Sequence, residues 1–251
     1  MNPKVIICGV HIDNVSMDQA LALINGWVRS RHMAYIVTPN VDHIVKLRND
    51  AEFRSIYEKA TLVLADGVPL LWAARFLGSP LKQKISGSDL MPRICNLAAE
   101  KGYRLFLLGG RAGAAEAAKK KLETSYPSIR IAGVYSPSYG FERDAAEQKK
   151  IVHLLKESKP DILFVGLGAP KQEKWIAAHY QELEIPVSIG VGVTFEFIAG
   201  VLRRAPGWMQ PIGLEWFWRF LSEPGRLWRR YLIEDPKFFV WVFQQKLKKN
   251  R

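Results

Sequence analysis

Leu105-Phe106-Leu107-Leu108-Gly109-Gly110-Arg111-Ala112-Gly113, followed by an Ala- and Lys-rich run to Ser125, is the stretch whose reading decides the fold. Four consecutive apolar residues suit a strand buried on both faces, and the small residues behind them turn the chain into an amphipathic helix. The same unit recurs from residue 4 to about 200. The spacing predicts strands at Val5–Cys8, Tyr35–Val37, Leu62–Leu64, Leu105–Leu108, Ile129–Val134, Ile162–Val165 and Val187–Ile189. Helices are expected over about 16–29, 41–58, 69–77, 88–101, 112–125, 143–157 and 171–182. Short apolar runs alternating with helices of this length give an α/β fold with a largely parallel sheet and helices on both faces.

The texture changes after Gly200. Arg203-Arg204-Ala205-Pro206-Gly207 reads as a linker, and helices are expected over about Met209–Ser222 and from near Arg226, with an interruption at Glu234-Asp235-Pro236. The expected organisation is a Rossmann-like catalytic domain over 1–202 and a short helical appendage over 203–251. Residues 201–251 hold eleven Lys and Arg against four Asp and Glu, a balance of +7 within a net charge of +12, and five of the eight tryptophans. Basic side chains among interfacial aromatics suit an anionic lipid surface. Nucleic acid is the competing partner for such a patch, but no nucleic-acid motif accompanies it, so no nucleic acid is expected. No stretch approaches the roughly 20 apolar residues of a membrane span. The N-terminus lacks a signal-peptide pattern, and Cys8 and Cys95 lie apart in apolar surroundings, as buried thiols in a reducing compartment do. These features predict a cytoplasmic protein held peripherally at the inner face of the membrane. Self-association as a homo-oligomer stays open.

In a doubly wound sheet, ligands sit beyond the C-terminal strand ends. Four such junctions carry candidate chemistry. Thr38-Pro39-Asn40-Val41-Asp42 places three polar side chains in five residues, of which helix capping accounts for one. Asp66-Gly67 at the next strand end offers a general base, against the competing role of an N-cap before Pro69. Gly109-Gly110-Arg111-Ala112-Gly113 lets backbone N–H groups approach a phosphate at a helix N-terminus, although its spacing is not the dinucleotide fingerprint. Gly166-Leu167-Gly168-Ala169-Pro170 and Gly190-Val191-Gly192 add two more glycine-rich turns, and three on one edge imply a large nucleotide-like ligand. The chain has no Asp-x-Asp, no metal spacing among His11, His32, His43, His153 and His179, and no catalytic context for Cys8, so neither metal nor cofactor is expected.

These residues resemble the WecG/TagA/CpsF glycosyltransferases, family 26. The resemblance runs from Gly9-Val10-His11-Ile12-Asp13 into the appendage. Its most specific parts are Thr38-Pro39-Asn40, Ala65-Asp66-Gly67, Gly87-Ser88-Asp89-Leu90, Leu108-Gly109-Gly110, Gly168-Ala169-Pro170-Lys171-Gln172-Glu173 and Arg204-Ala205-Pro206 leading to Gly213-Leu214-Glu215-Trp216. The resemblance implies a metal-independent, inverting hexosyltransferase that uses a UDP-sugar donor and a polyprenyl-diphosphate-linked acceptor in surface-polysaccharide synthesis. It also implies Asp66 as general base, Thr38 beside the transferred sugar or the base, Asn40 and Gln172 in the pocket, and appendage arginines Arg219, Arg226 and Arg229 over the diphosphate. Two positions depart from the family pattern. Lys84 stands where an Arg is common, losing the planar fork, and Glu196 stands where an Asp is common in the pocket wall. The donor sugar that the resemblance implies is an N-acetylmannosamine-type or glucose-type hexose. Two other classes stay in view: a nucleotide-cofactor oxidoreductase, and a non-catalytic basic adaptor for membrane or nucleic acid.

Overall fold

The computed structural model describes residues 2–249. Contacts divide the chain into two compact units: 1–17, 37–86 and 203–251 form the first, and 18–36 with 87–202 the second. Residues 203–251 share their unit with two earlier segments.

The second unit carries the parallel sheet. Strands β3 (Ala34–Val37), β5 (Arg104–Gly109), β6 (Arg130–Tyr135), β7 (Ile162–Gly166) and β8 (Val187–Gly190) lie in the order β3-β8-β7-β5-β6, every pair parallel. Ile162, Leu163, Phe164 and Val165 of β7 are fully buried, as the unbroken apolar run requires of a central strand. Its helices are α1 (Met17–Ser30), α5 (Gly87–Lys101), α6 (Ala114–Ser125), α7 (Ala145–Ser158), α8 (Lys171–Leu183) and α9 (Thr194–Ala199). From β5 the chain steps outward to β6 and then returns through β7 to β8. Right-handed crossovers therefore put α6 on one face and α7 and α8 on the other. The packing agrees: α5 and α6 each pack on α9, and α7 packs on α8. Short α9 was not anticipated, because Thr194–Ala199 offers less than two turns of periodicity.

The first unit departs further from expectation. Val5–Cys8 does not join the parallel sheet; β1 (Lys4–Ile7) pairs antiparallel with β2 (Val10–Asp13) across a turn at Cys8 and Gly9. Both turn residues have positive φ, 51° and 85°, the handedness that a two-residue hairpin turn demands. The expected 41–58 helix is two, α2 (Val41–Asn49) and α3 (Ala51–Lys59), because Asp50 ends the first and caps the second by accepting from the Phe53 N–H at 2.9 Å. Strand β4 (Leu62–Val63) and α4 (Val68–Phe76) follow.

The appendage consists of α10 (Glu215–Ser222), α11 (Pro224–Arg229), a π-turn at Arg230–Glu234 and α12 (Pro236–Lys249). The helix expected from Met209 starts six residues later, after turns that Pro211 and Gly213 impose. Gly213 has φ 78° and packs against Trp72 and Val68, which a side chain there would crowd. Helix α12 buries Phe238 and Val242. Gln245 clasps the first hairpin: its Oε1 accepts from the Cys8 N–H at 2.7 Å and its Nε2 donates to the Ile6 carbonyl at 2.8 Å. Among the described residues no helix is long and apolar enough to cross a membrane.

Candidate active site

In the first unit, the segments after β3 and β4 are laced together. Leu64 N–H donates to the Val37 carbonyl at 2.9 Å and Asp66 N–H to the Pro39 carbonyl at 2.8 Å. Thr38 is buried on this segment. Asn40 is the N-cap of α2; its Oδ1 accepts from the His43 N–H at 3.3 Å, and the His43 Nδ1 lies 2.7 Å away. Buried Asp42 takes Lys46 Nζ at 2.7 Å and Arg230 Nη1 at 3.6 Å. Capping thus accounts for Asn40 and ion pairing for Asp42, while neither accounts for Thr38. Asp66 is half-buried, and the N-cap of α4 is Gly67, which makes no side-chain capping bond. Lys84 is engaged structurally: its Nζ lies 2.9 Å from Glu215 Oε2, and Arg204 Nε lies 3.2 Å from Glu215 Oε1.

In the second unit, crossovers leave β5 and its neighbour β7 toward opposite faces, which makes their C-terminal ends a topological switch point. The glycines there divide by what surrounds them. A Cβ on Gly109 would lie 2.6 Å from the Gly166 carbonyl, one on Gly166 2.8 Å from the Phe195 ring, and one on Gly190 2.7 Å from Gln172 Nε2. These glycines let protein, not ligand, come close. Gly110 N–H donates to the Gly166 carbonyl at 2.8 Å and Arg111 N–H to Glu196 Oε1 at 2.9 Å, so two donors expected to face a phosphate have partners inside the protein. Gly168 and Gly192, with φ 76° and 57°, have nothing within 4 Å of a built Cβ. Bare backbone open to a ligand lies at those two.

Gln172 is buried; its Oε1 accepts from the Gly192 N–H at 3.0 Å and its Nε2 donates to Glu173 Oε1 at 2.8 Å, so it shapes the Gly192 turn. Glu196 is buried as well, and its Oε2 has no hydrogen-bond partner among the described residues. A buried carboxylate oxygen in this state fits a ligand hydroxyl or N–H.

The three appendage arginines singled out from sequence do not share one environment. Arg226 and Arg229 are exposed and pair with Glu223 and with Glu234, the latter at 3.3 Å. Arg219 sits on the preceding helix, beyond the break at Glu223, half-buried and without an ion pair among the described residues. The appendage arginine that does reach the Asn40 segment is Arg230. Its Nη2 lies 3.4 Å from Asn40 Oδ1, its Nη1 3.6 Å from Asp42 and its Nε 3.5 Å from Asp235. Sequence reading passed over it because both partners on the Asn40 segment lie nearly 190 residues away. The available signal was the Arg229-Arg230 doublet placed directly before the buried Tyr231.

The charges in this cluster respond to burial. Burial pushes the Asp42 carboxyl up, but Arg230 and Lys46 more than offset it and hold it below its ordinary value. Burial dominates at Asp235 and raises it to about 6 despite Arg230. The two thiols are free, and burial raises Cys8 to about 11 and Cys95 to about 12, as inert buried cysteines behave.

The model of the "Glycosyl transferase WecG/TagA/CpsF family" matches residues 5–251. A Staphylococcus aureus (strain MW2) protein named N-acetylglucosaminyldiphosphoundecaprenol N-acetyl-beta-D-mannosaminyltransferase is 32% identical over 250 residues, covering 99% of this chain and 96% of its own. A Bacillus subtilis (strain 168) protein of the same name is 31% identical over 217 residues, 86% of this chain and 82% of its own. With the match spanning both units and the appendage, the chain belongs to the WecG/TagA/CpsF family of glycosyl transferases.

Proposed function

We propose that this chain transfers an N-acetylmannosamine-type or glucose-type hexose from UDP to a polyprenyl-diphosphate-linked saccharide, with inversion, in cell-surface polysaccharide synthesis. The observation that carries this reading is the similarity, over 99% and 86% of this chain, to two transferases whose names specify an N-acetylmannosaminyl group and an N-acetylglucosaminyldiphosphoundecaprenol acceptor. In the proposed step Asp66 takes the proton of the acceptor hydroxyl, whose oxygen attacks the anomeric carbon. The bond from that carbon to the UDP oxygen breaks, and UDP leaves with the electron pair. Thr38 lies beside the transferred sugar. Asn40 contributes to nucleotide binding, as do Gln172, Glu196 and the open backbone at Gly168, while Gly109 and Gly110 hold the turn at the end of β5. Arg219, Arg226 and Arg229 meet the charge growing on the diphosphate, the task a divalent ion performs in many sugar-nucleotide enzymes.

The acceptor places this chemistry at a lipid surface. Trp208, Leu221, Trp228, Leu232, Phe239 and Phe243 are exposed among the basic side chains of the appendage, the combination that favours anionic lipid. The reading is tested by incubating the protein with UDP-N-acetylmannosamine or UDP-glucose and a lipid-diphosphate-linked N-acetylglucosamine, with and without EDTA. Transfer that survives EDTA is expected. Absence of transfer from every UDP-hexose overturns the function, and loss on chelation overturns the arginine role.

A further inference from the structure

Asn40 is unusual among helix caps in how fully its side-chain oxygen is occupied. Oδ1 accepts from the His43 N–H at 3.3 Å and from the Arg230 guanidinium at 3.4 Å, while the His43 Nδ1 accepts from the Asn40 backbone N–H at 3.3 Å. An amide carbonyl has two lone pairs. With both engaged, Asn40 has only its two amide N–H groups left to offer a ligand. The Arg230 contact comes from the appendage and is a built one. The Arg230 side chain is 21% exposed and is bracketed by Asp42 on one side and Asp235 on the other.

The backbone is arranged to deliver it. Arg230 opens the π-turn, in which the Asp235 N–H donates to the Arg230 carbonyl at 2.8 Å, and π-turns cluster at functional positions. The extra residue in that turn brings Leu227, Tyr231, Asp235 and Phe238 inward as one buried series, with Arg230 beside them facing α2.

We propose that Arg230 is a positioning residue for the donor pocket: it fixes Asn40 as a hydrogen-bond donor toward an acceptor oxygen of the bound nucleotide sugar, and does so only while the appendage is docked. Arg230 touches no reacting atom in this account. It explains why the appendage matters to the pocket through a side chain other than the three arginines assigned to the diphosphate. The inference rests on the transferase reading for its ligand, but its geometry is testable without turnover.

The test uses the full chain with Arg230→Lys, Arg230→Met and Asn40→Ala, and their combinations. Lysine keeps the charge for Asp42 and Asp235 while losing the planar fork, so Arg230→Lys is expected to fold with a near-native melting temperature. Its kcat/KM for UDP-sugar is expected to fall about tenfold, mainly through KM, and amide exchange over residues 38–46 to rise. In the Asn40→Ala background either Arg230 change is expected to cost less than about threefold more, since coupled residues are not additive. Unchanged exchange and unchanged KM in Arg230→Lys overturn the proposal, as does a loss of the same size with and without Asn40. If Arg230→Met does not fold, the lysine variant alone decides. Wild-type protein inactive with every UDP-sugar sinks the transferase reading, and the exchange result still decides the role of Arg230.

Discussion

The backbone N–H of Asp66 donates to the carbonyl of Pro39 at 2.8 Å. That bond joins the exits of β4 and β3, so the carboxylate of Asp66 and the side chains of Thr38 and Asn40 are carried on one frame. Asp66→Asn is expected to lower kcat by about two to four orders of magnitude while the UDP dissociation constant and melting temperature stay near wild type. Single-turnover kinetics beside UDP calorimetry decides this, and retained turnover removes Asp66 from the mechanism.

Asp235 predicts an unusual pH response. Its carboxyl titrates near 6 in the folded protein against an ordinary value of 3.8, so between those values the native state binds more protons than the unfolded one. Stability should then fall as pH rises through that interval. Asp42 works the other way, its lowered value giving stability that is lost only in stronger acid. Asp235→Asn should flatten the decline and raise the melting temperature at pH 7.5. Melting curves taken in half-unit steps between pH 4.5 and 7.5 check it, and a variant whose profile overlies the wild type excludes Asp235 as the source.

The glycine turns predict two kinds of damage. Gly166→Ala and Gly190→Ala drive a methyl into Phe195 and into Gln172 and should each destabilise by about 1–3 kcal/mol, the range for overpacking. Gly168→Ala meets no neighbour and strains only its positive φ, at about 1 kcal/mol. Its larger effect should be on UDP affinity. Denaturant midpoints read against UDP titrations separate the two, and a Gly168→Ala protein with native affinity contradicts an open ligand face there.

Phe239 and Phe243 lie one turn apart on α12, both exposed, while Phe238 and Val242 face inward. Replacing the outward pair with Ser should leave the fold intact and weaken binding to anionic liposomes at least tenfold, since each buried aromatic is worth about 1.5–3 kcal/mol. Flotation with anionic and neutral vesicles measures it. Undiminished flotation moves the lipid contact elsewhere on the appendage.

Much of this was legible from residues 105–190. There β5 and β7 carry unbroken apolar runs ending in glycine, and a run of that kind has few alternatives to a central parallel strand. The hairpin was hidden because a cysteine, Cys8, occupies a left-handed turn position where glycine or asparagine would have announced it. The break at Asp50 was hidden because the same side chain suits a helix surface and a cap. Asp66 and Thr38 stood out by type and place, yet their shared frame is a backbone bond that sequence patterns do not register. Arg230 was beyond reach for a stronger reason: its partners Asn40 and Asp42 are distant in the chain, and only tertiary packing selects it over Arg226 and Arg229. The glycines were seen but partly misjudged, since composition does not say whether a bare backbone faces a ligand or a neighbouring phenylalanine.

Gln245 holding Ile6 and Cys8 has a consequence for how the protein is made. The hairpin emerges from the ribosome long before the helix that clasps it has been translated, and the Asn40 segment likewise precedes Arg230 by most of the chain. The parallel-sheet unit is almost entirely synthesised before residue 203 and can fold first, while the unit bearing Asp66 waits for the last-made helices. A nascent chain thus lacks a complete first unit until translation has delivered its last helices.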